Sequence, residues 1–246
     1  MRLRNKTAII TGGGSGIGKA VAVAFAREGA SVAIAGRHQA KLDDAARDLG
    51  PNCLAIAADI GKPADVTRLI EATIGKFKRI DILVNNAGVL LPGTAESLTE
   101  EDFDQTFNVN VRGLWLLSRA VLPHMRGAGG GSIINIGSVL STLGARNRVA
   151  YSASKGAVLA MTRAMALDHA GEKIRVNCIC PGIVETEMVA RFSMDEGARR
   201  QRLAWHPLGR FGQPQEIAGL AVFLASDESA WTTGAAFTVD GGYSAQ

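Results

Sequence analysis

Tyr151 and Lys155 stand four residues apart in Tyr151-Ser152-Ala153-Ser154-Lys155, and Ser138 closes an apolar run a short way upstream. On a helix, residues i and i+4 share a face, so this spacing sets a phenol beside an ammonium. A phenol has an unperturbed pKa of about 10 and exchanges protons poorly at neutral pH. A neighbouring ammonium favours the phenolate and draws that pKa down. The Ser138 hydroxyl is then placed to anchor the oxygen that the phenol protonates or deprotonates. The same spacing occurs on many helices without chemistry, so the pair takes its meaning from its surroundings.

A glycine-rich segment at the other end of the chain supplies that context. Thr11-Gly12-Gly13-Gly14-Ser15-Gly16-Ile17-Gly18 follows a strand-like run and opens a helical one. No register satisfies G-x-G-x-x-G; the match is Thr-Gly-x-x-x-Gly-x-Gly. Gly12 permits a tight turn, Gly16 removes a side chain where a pyrophosphate approaches, and Gly18 lets helix and strand pack closely. The helix N-terminus offers unsatisfied N–H groups and a partial positive charge to phosphates. A flexible turn without a ligand is the alternative.

The elements that must position these residues alternate along the chain. Near-continuous Val, Ile, Ala and Leu runs predict strands at Thr7 to Thr11, Ser31 to Ala35, Cys53 to Ala57, Ile80 to Asn85, Ser132 to Gly137, Arg175 to Cys180 and Ala236 to Val239. Such runs mark parallel strands buried on both faces. Helical patterns fall near 16–28, 39–49, 63–77, 100–125, 149–170 and 214–225. The alternation predicts a doubly wound α/β fold, a single domain over 1–246. The stretch from 186 to 213 is longer than a crossover needs. It lies where ligands bind in such folds, so it is expected to form a substrate lid.

Composition narrows the function classes. The 246 residues are 47% hydrophobic and 20% charged, which supplies a core and argues against disorder. No apolar stretch is long enough to span a membrane and no secretory signal precedes the first strand, so a cytoplasmic location is expected. Cys53, Cys178 and Cys180 have neither metal-ligand nor disulfide spacing, and the four histidines are scattered; no metal is expected. Cys178 and Cys180 should face one side of a strand as buried small residues. The net charge of +4 is mild and aromatics are only 5%, against a nucleic-acid surface. Within the densest basic cluster, Arg191, Arg199, Arg200 and Arg202, the i,i+4 pairs Asp195–Arg199 and Glu196–Arg200 suit a solvated helix face.

Together with Asn85-Asn86-Ala87-Gly88, Ser138, Tyr151/Lys155 and Pro181-Gly182, the glycine loop resembles the short-chain dehydrogenase/reductase family, with the motifs in family order from about Lys6 to Gly242. The resemblance implies seven parallel strands on a Rossmann-type sheet. It implies an NAD(P)-dependent oxidoreductase interconverting a secondary alcohol and a ketone. Tyr151 would be the general acid in reduction and the base in oxidation. Lys155 would lower the pKa of Tyr151 and hold the nicotinamide ribose, and Ser138 would bind the substrate oxygen. Asn110 matches the family's asparagine that positions a water beside the lysine; Asn108 is the neighbour most easily confused with it, and an amide satisfied inside the helix is the alternative.

The same resemblance places the cofactor. Gly14, Ser15 and Ile17 complete the phosphate loop, and Asn85, Asn86, Ala87 and Gly88 approach the ribose from the fourth strand. Asp59 and Ile60 match the adenine contacts, while Pro181, Gly182, Ile183 and Thr186 face the nicotinamide. At the end of the second strand stands Gly36 where an acid would hold ribose hydroxyls, followed by Arg37, which suits a 2′-phosphate. NADP(H) is therefore favoured. NAD(H) is the alternative, because Ser15 occupies a position that is basic in many NADP-using relatives, and Arg37 could be merely solvated.

Arg148, three residues before Tyr151, puts a cation at a helix N-terminus, where the dipole opposes it. It could clamp a substrate carboxylate, giving a hydroxy or oxo acid or a sugar-type substrate; a solvated or locally paired arginine is the alternative. Met188, with Val189, Phe192, Met194, Leu203, Trp205 and Leu208, could line an apolar pocket or pack the lid helix. A β-ketoacyl thioester, as in 3-oxoacyl-[acyl-carrier-protein] reductases, is the competing substrate, and a non-catalytic NADP-binding regulator is the remote alternative. The small stripe Ala153, Gly156, Ala157, Ala160 and Ala164 allows close approach of the chain's own sheet or of a second copy. Family resemblance implies a homotetramer.

Overall fold

Ile9 and Ile10, neighbours in the first strand, are both fully buried yet belong to different cores, one on each face of a central sheet. A computed structural model of the chain describes residues 1–190 and 195–245. In order, β1 (Thr7–Thr11) leads to α1 (Gly16–Arg27), β2 (Ser31–Gly36), α2 (Gln39–Leu49), β3 (Cys53–Ala57), α3 (Pro63–Phe77) and β4 (Ile82–Asn85). Then follow α4 (Glu100–Phe107), a π-helical turn over Asn108–Gly113, α5 (Leu114–Gly127), β5 (Gly131–Ile136) and α6 (Val149–His169). The order closes with β6 (Ile174–Pro181), α7 (Glu187–Ala190), α8 (Glu196–Ala204), α9 (Pro214–Ala225) and β7 (Ala236–Val239).

The seven strands form one parallel sheet in the order β3-β2-β1-β4-β5-β6-β7. One face carries α1 and α9 over Ile10, Ile34 and Val84; the other carries α3 and α5 over Ile9, Leu83 and Ile133. Burying each such side chain contributes about 1.5–3 kcal/mol. Emptying the site of fully buried Phe25 on α1 is expected to cost about 3–5 kcal/mol. The edge strand β7 departs from the pattern of strands buried on both faces: Ala236 and Thr238 are exposed.

The chain winds outward from β1 to β3 and then returns to place β4 beside β1. That reversal splays the loops after β1 and β4 apart and opens a crevice at their carboxyl ends. Thr11 ties the two loops together there. Its Oγ1 accepts from the backbone N–H groups of Asn86 and Ala87, each at 3.0 Å, and donates to the Val84 carbonyl at 3.3 Å.

The structure differs from the sequence expectations in several places. β4 begins at Ile82 rather than Ile80, because the Asp81 carboxylate takes the Thr7 N–H at 2.8 Å and is held by Arg79. The helix expected over 100–125 is split by the π-helical turn. Within it, Gly113 brings the backbone so near Ile60 that a Cβ would lie 2.8 Å from its Cγ1. Asp195 does not pair with Arg199; it caps α8 by accepting from Ala198 N at 2.7 Å. Arg199 instead reaches Glu185 and the Phe211 ring. Glu196–Arg200 is absent from the ion pairs among the described residues. Arg191, Phe192 and Met194 lie outside the described residues.

Candidate active site

The glycine loop is shaped by its lack of side chains. Gly12 and Gly16 adopt φ of +66° and +51°, where a Cβ is strained. A Cβ on Gly18 would stand 2.2 Å from the Gly12 carbonyl oxygen, so only glycine lets α1 start this close to the loop. Ser15 precedes α1 without a side-chain capping bond, leaving the first-turn N–H groups for another acceptor. Two cavities, of about 170 and 220 Å³, flank the loop and share Gly12, Ser15, Ala87, Gly88 and Glu187 in their walls.

The first cavity collects Gly14, Arg37, Asp59 and Ile60. Asp59 also accepts from Gly61 N at 3.0 Å, fixing the turn after β3. The second collects Gly16, Ile17, Asn86, Pro181, Gly182, Thr186 and Met188 with Ser138, Tyr151 and Lys155. Gly18 lines neither and acts through packing. Ile183 is not in the wall, where Val184 stands instead; the Ile183 N–H points toward His206 Nε2 at 3.5 Å. Asn85 turns away into the core, donating to Asn135 and Ser118, whereas Asn86 donates to the Thr11 carbonyl at 2.8 Å. Of the apolar residues expected in a lid pocket, Met188 and Val189 reach the wall. Leu203, Trp205 and Leu208 do not, and Trp205 stacks on Tyr243.

Tyr151 and Lys155 occupy the first two turns of α6, and Ser138 follows β5. The Ser138 hydroxyl accepts from Leu140 N at 3.1 Å and lies near enough to the Tyr151 phenol to draw its pKa down. Lys155 does not stand against the phenol oxygen as its spacing implied. Its ammonium donates to the Ile136 carbonyl at 2.7 Å, 5.7 Å from the Tyr151 ring centroid. Burial dominates both groups: it pushes the Tyr151 phenol up to about 12, against the lowering pull of Ser138 and Arg148. It pulls Lys155 down to about 8. The expected lowering of the phenol by its neighbour is thus corrected to a net rise in the protein alone.

Asn110 is 2% exposed, and both ends of its amide are engaged. Oδ1 accepts from Val89 N at 2.8 Å, and Nδ2 donates to the Val89 carbonyl and to Ser154 Oγ, each at 3.0 Å. A Cβ on Gly88 would meet both Asn110 Oδ1 and Lys155 Nζ within 4 Å, so Asn110 adjoins the lysine. Asn108 instead accepts from Arg112, one turn away. Cys178 and Cys180 are buried beneath the cavity floor with Sγ atoms 3.7 Å apart, on one side of β6 as their spacing implies.

Arg148 sits at the N-cap position of α6, bridged through its backbone to Gly93 and outside the cavity wall. Partial burial and the nearby Arg202 guanidinium hold its pKa below the usual arginine value, while Tyr151 pulls the other way. The sequence reading missed Lys41, His38, Val184 and Glu187 as cavity-wall residues. Glu187 directly follows the singled-out Thr186, but no spacing rule marks a residue contributed by a long insertion. A larger cavity of about 1020 Å³ lies between α1 and α9 and contains none of Ser138, Tyr151 and Lys155.

The parallel sheet, its switch point and the glycine loop define a Rossmann-type nucleotide-binding class. A family model described as Enoyl-(Acyl carrier protein) reductase matches residues 12–244. The chain is 39% identical over 245 residues to the 3-oxoacyl-[acyl-carrier-protein] reductase FabG of Thermotoga maritima, covering 98% of this chain and 99% of that one. It is 41% identical to 2-(S)-hydroxypropyl-CoM dehydrogenase 3 of Xanthobacter autotrophicus, covering 99% and 98%. A crystal structure of 3-ketoacyl-(acyl-carrier-protein) reductase from Brucella melitensis complexed with NADH superposes with a TM-score of 0.93 at 39% identity, covering 98% and 99%. The chain belongs to the short-chain dehydrogenase/reductase family and is an oxidoreductase of that family. Among the described residues no helix is long and apolar enough to cross a membrane.

Proposed function

We propose that the protein is an NAD(P)-dependent oxidoreductase that interconverts a secondary alcohol and a ketone, with NADP(H) as the favoured cofactor. The observation that carries this reading is the convergence of Ser138, Tyr151 and Lys155 on the cavity opened by the glycine loop. The cleft fits a dinucleotide: it is cradled by residues without a Cβ, and it meets the uncapped N-terminus of α1. Asp59 and Ile60 would take the adenine end; Pro181, Gly182 and Thr186, with Val184 in the wall in place of Ile183, would take the nicotinamide end. The bound nicotinamide would supply or accept the hydride.

The chain's own residues would then handle the proton. Ser138 holds the substrate oxygen against the Tyr151 phenol. In reduction the phenol, neutral at pH 7 with its pKa pushed up to about 12, gives its proton to that oxygen; in oxidation the phenolate takes it back. Lys155 holds the nicotinamide ribose, and Asn110 keeps the Gly88–Val89 loop at the lysine's side. Arg37, in the wall beside Gly36 with no acid at the end of β2, favours a 2′-phosphate. Lys19, the first basic residue after the glycine loop, is committed to Asp48 at 2.7 Å.

The substrate proposed is an anionic ketone or alcohol, a hydroxy or oxo acid or a sugar acid. Arg148 supports it, since its charge acts on Tyr151 and the Arg202 charge is held nearby. Ketoacyl thioester reduction is the second reading, favoured by the 3-oxoacyl reductase among the relatives. The stripe of α6 at Ala153, Ala160 and Ala164 is exposed, away from the sheet, which supports a homotetramer using this face. Initial rates with NADPH and NADH across oxo acids, sugar lactones, simple ketones and an acetoacetyl thioester test the reading. Turnover of none of them, equal to that of Tyr151→Phe, would instead support a cofactor-binding regulator.

A further inference from the structure

Lys41 and Glu187 form an ion pair across the mouth of the cleft. Lys41 lies in the first turn of α2, and Glu187 opens α7, 146 positions later. Lys41 is pinned at its base: a Cβ on Gly14 would lie 3.3 Å from the Lys41 Cβ, so the lysine stem rests directly on the glycine loop. Glu187 is in the wall of both cavities, and the pair therefore crosses above the boundary between them. Gly12 and Ser15, also shared by both cavities, mark that boundary as the glycine loop itself.

The charges at the N-terminal end of α2 are unbalanced locally. Arg37 precedes the helix, Lys41 is in its first turn, and the first turn holds no acid. Cations there oppose the helix dipole. The carboxylate that faces Lys41 comes from across the cleft. Both partners are about half exposed, and an exposed ion pair is weakly held, so its exchange for another anion is easy.

We propose that Lys41 is a phosphate-binding residue of the cofactor site, and that the Glu187 carboxylate stands in for a cofactor phosphate. This rests on the dinucleotide reading of the cleft. A phosphate entering over the glycine loop repels Glu187 and attracts Lys41; the ammonium changes partner, and Glu187 turns toward solvent. Glu187 thus lowers the affinity for cofactor by competing for the lysine.

Equilibrium titration of the cofactor-free protein with NADPH, NADH, 2′,5′-ADP and ADP at low salt tests this without relying on turnover. Lys41→Gln is expected to weaken binding roughly 5- to 10-fold, the scale of one lost charge-assisted contact. Glu187→Gln is expected to tighten it about 2- to 5-fold, and the double variant to behave as Lys41→Gln. Weakening confined to NADPH and 2′,5′-ADP assigns Lys41 to the 2′-phosphate; equal weakening of all four assigns it to the adenosine 5′-phosphate that they share. Unchanged affinity in Lys41→Gln, or a loss in Glu187→Gln as large as that in Lys41→Gln, overturns the proposal while wild type still binds. Wild type binding none of the four overturns the dinucleotide reading itself. Thermal melts of each variant separate a folding defect from a binding one.

Discussion

Lys155 donates its 2.7 Å hydrogen bond to the Ile136 carbonyl, so α6 anchors its ammonium on the end of β5. The lysine is thus positioned by the sheet before any ligand arrives. Its burial also has a thermodynamic consequence. The folded pKa of about 8 lies below the unfolded value of about 10.4. Between those values the unfolded chain binds more protons, so this group's contribution to stability rises with pH across that window. Below about pH 8 the penalty of a buried charge is fully present.

Lys155→Met is therefore predicted to be more stable than wild type at pH 7, by about 1–3 kcal/mol, with the gain shrinking toward pH 10. Activity should fall in the same variant. Denaturant unfolding at pH 7 and pH 10 measures the difference. A variant less stable than wild type at pH 7 would show that the Ile136 bond outweighs burial.

Gly18→Ala places a Cβ 2.2 Å from a backbone oxygen that cannot swing aside. The variant is predicted to lose roughly 1–3 kcal/mol of stability and most of its cofactor affinity. Thermal melts with and without NADPH check both effects. A variant that melts and binds like wild type would remove close packing as the reason for this glycine.

Arg37→Ala is predicted to lower kcat/KM for NADPH roughly 10- to 100-fold while changing that for NADH less than about twofold. Steady-state kinetics with both cofactors decides it. Equal losses with both would remove the 2′-phosphate assignment.

How far the sequence could be read follows from where each signal resides. Strand runs at Thr7–Thr11, Cys53–Ala57 and Ala236–Val239 coincide with the observed strands because burial and β-propensity are local in the chain. The glycine loop was legible for the same reason: a Cβ on Gly18 would stand 2.2 Å from the Gly12 carbonyl oxygen, which leaves glycine no substitute. Long-range features were not. The helix over 100–125 is split by a π-helical turn ending at Gly113, where the backbone meets Ile60 from a distant loop, and Asp195 capping α8 competes with an i,i+4 pair that spacing alone cannot rank. Spacing placed Lys155 beside Tyr151, but the Ile136 carbonyl that captures its ammonium comes from another element. Glu187 reaches the cleft from an insertion with no periodic pattern.

Arg148→Ala is predicted to reduce kcat/KM for an oxo acid roughly 10- to 100-fold, chiefly through KM, and to leave a neutral ketone within about twofold. Parallel kinetics on the two substrates are the check. Equal effects on both would point to a structural part for Arg148 at the start of α6.

The most direct measurement pairs cofactor binding with turnover in Tyr151→Phe. NADPH affinity is titrated, and NADPH oxidation is followed with the best carbonyl substrate found for wild type. The expected result is affinity within about twofold of wild type and a rate lowered roughly 10²- to 10⁴-fold, the scale of a lost general acid. A rate within about tenfold of wild type, with binding intact, would contradict Tyr151 as the proton donor.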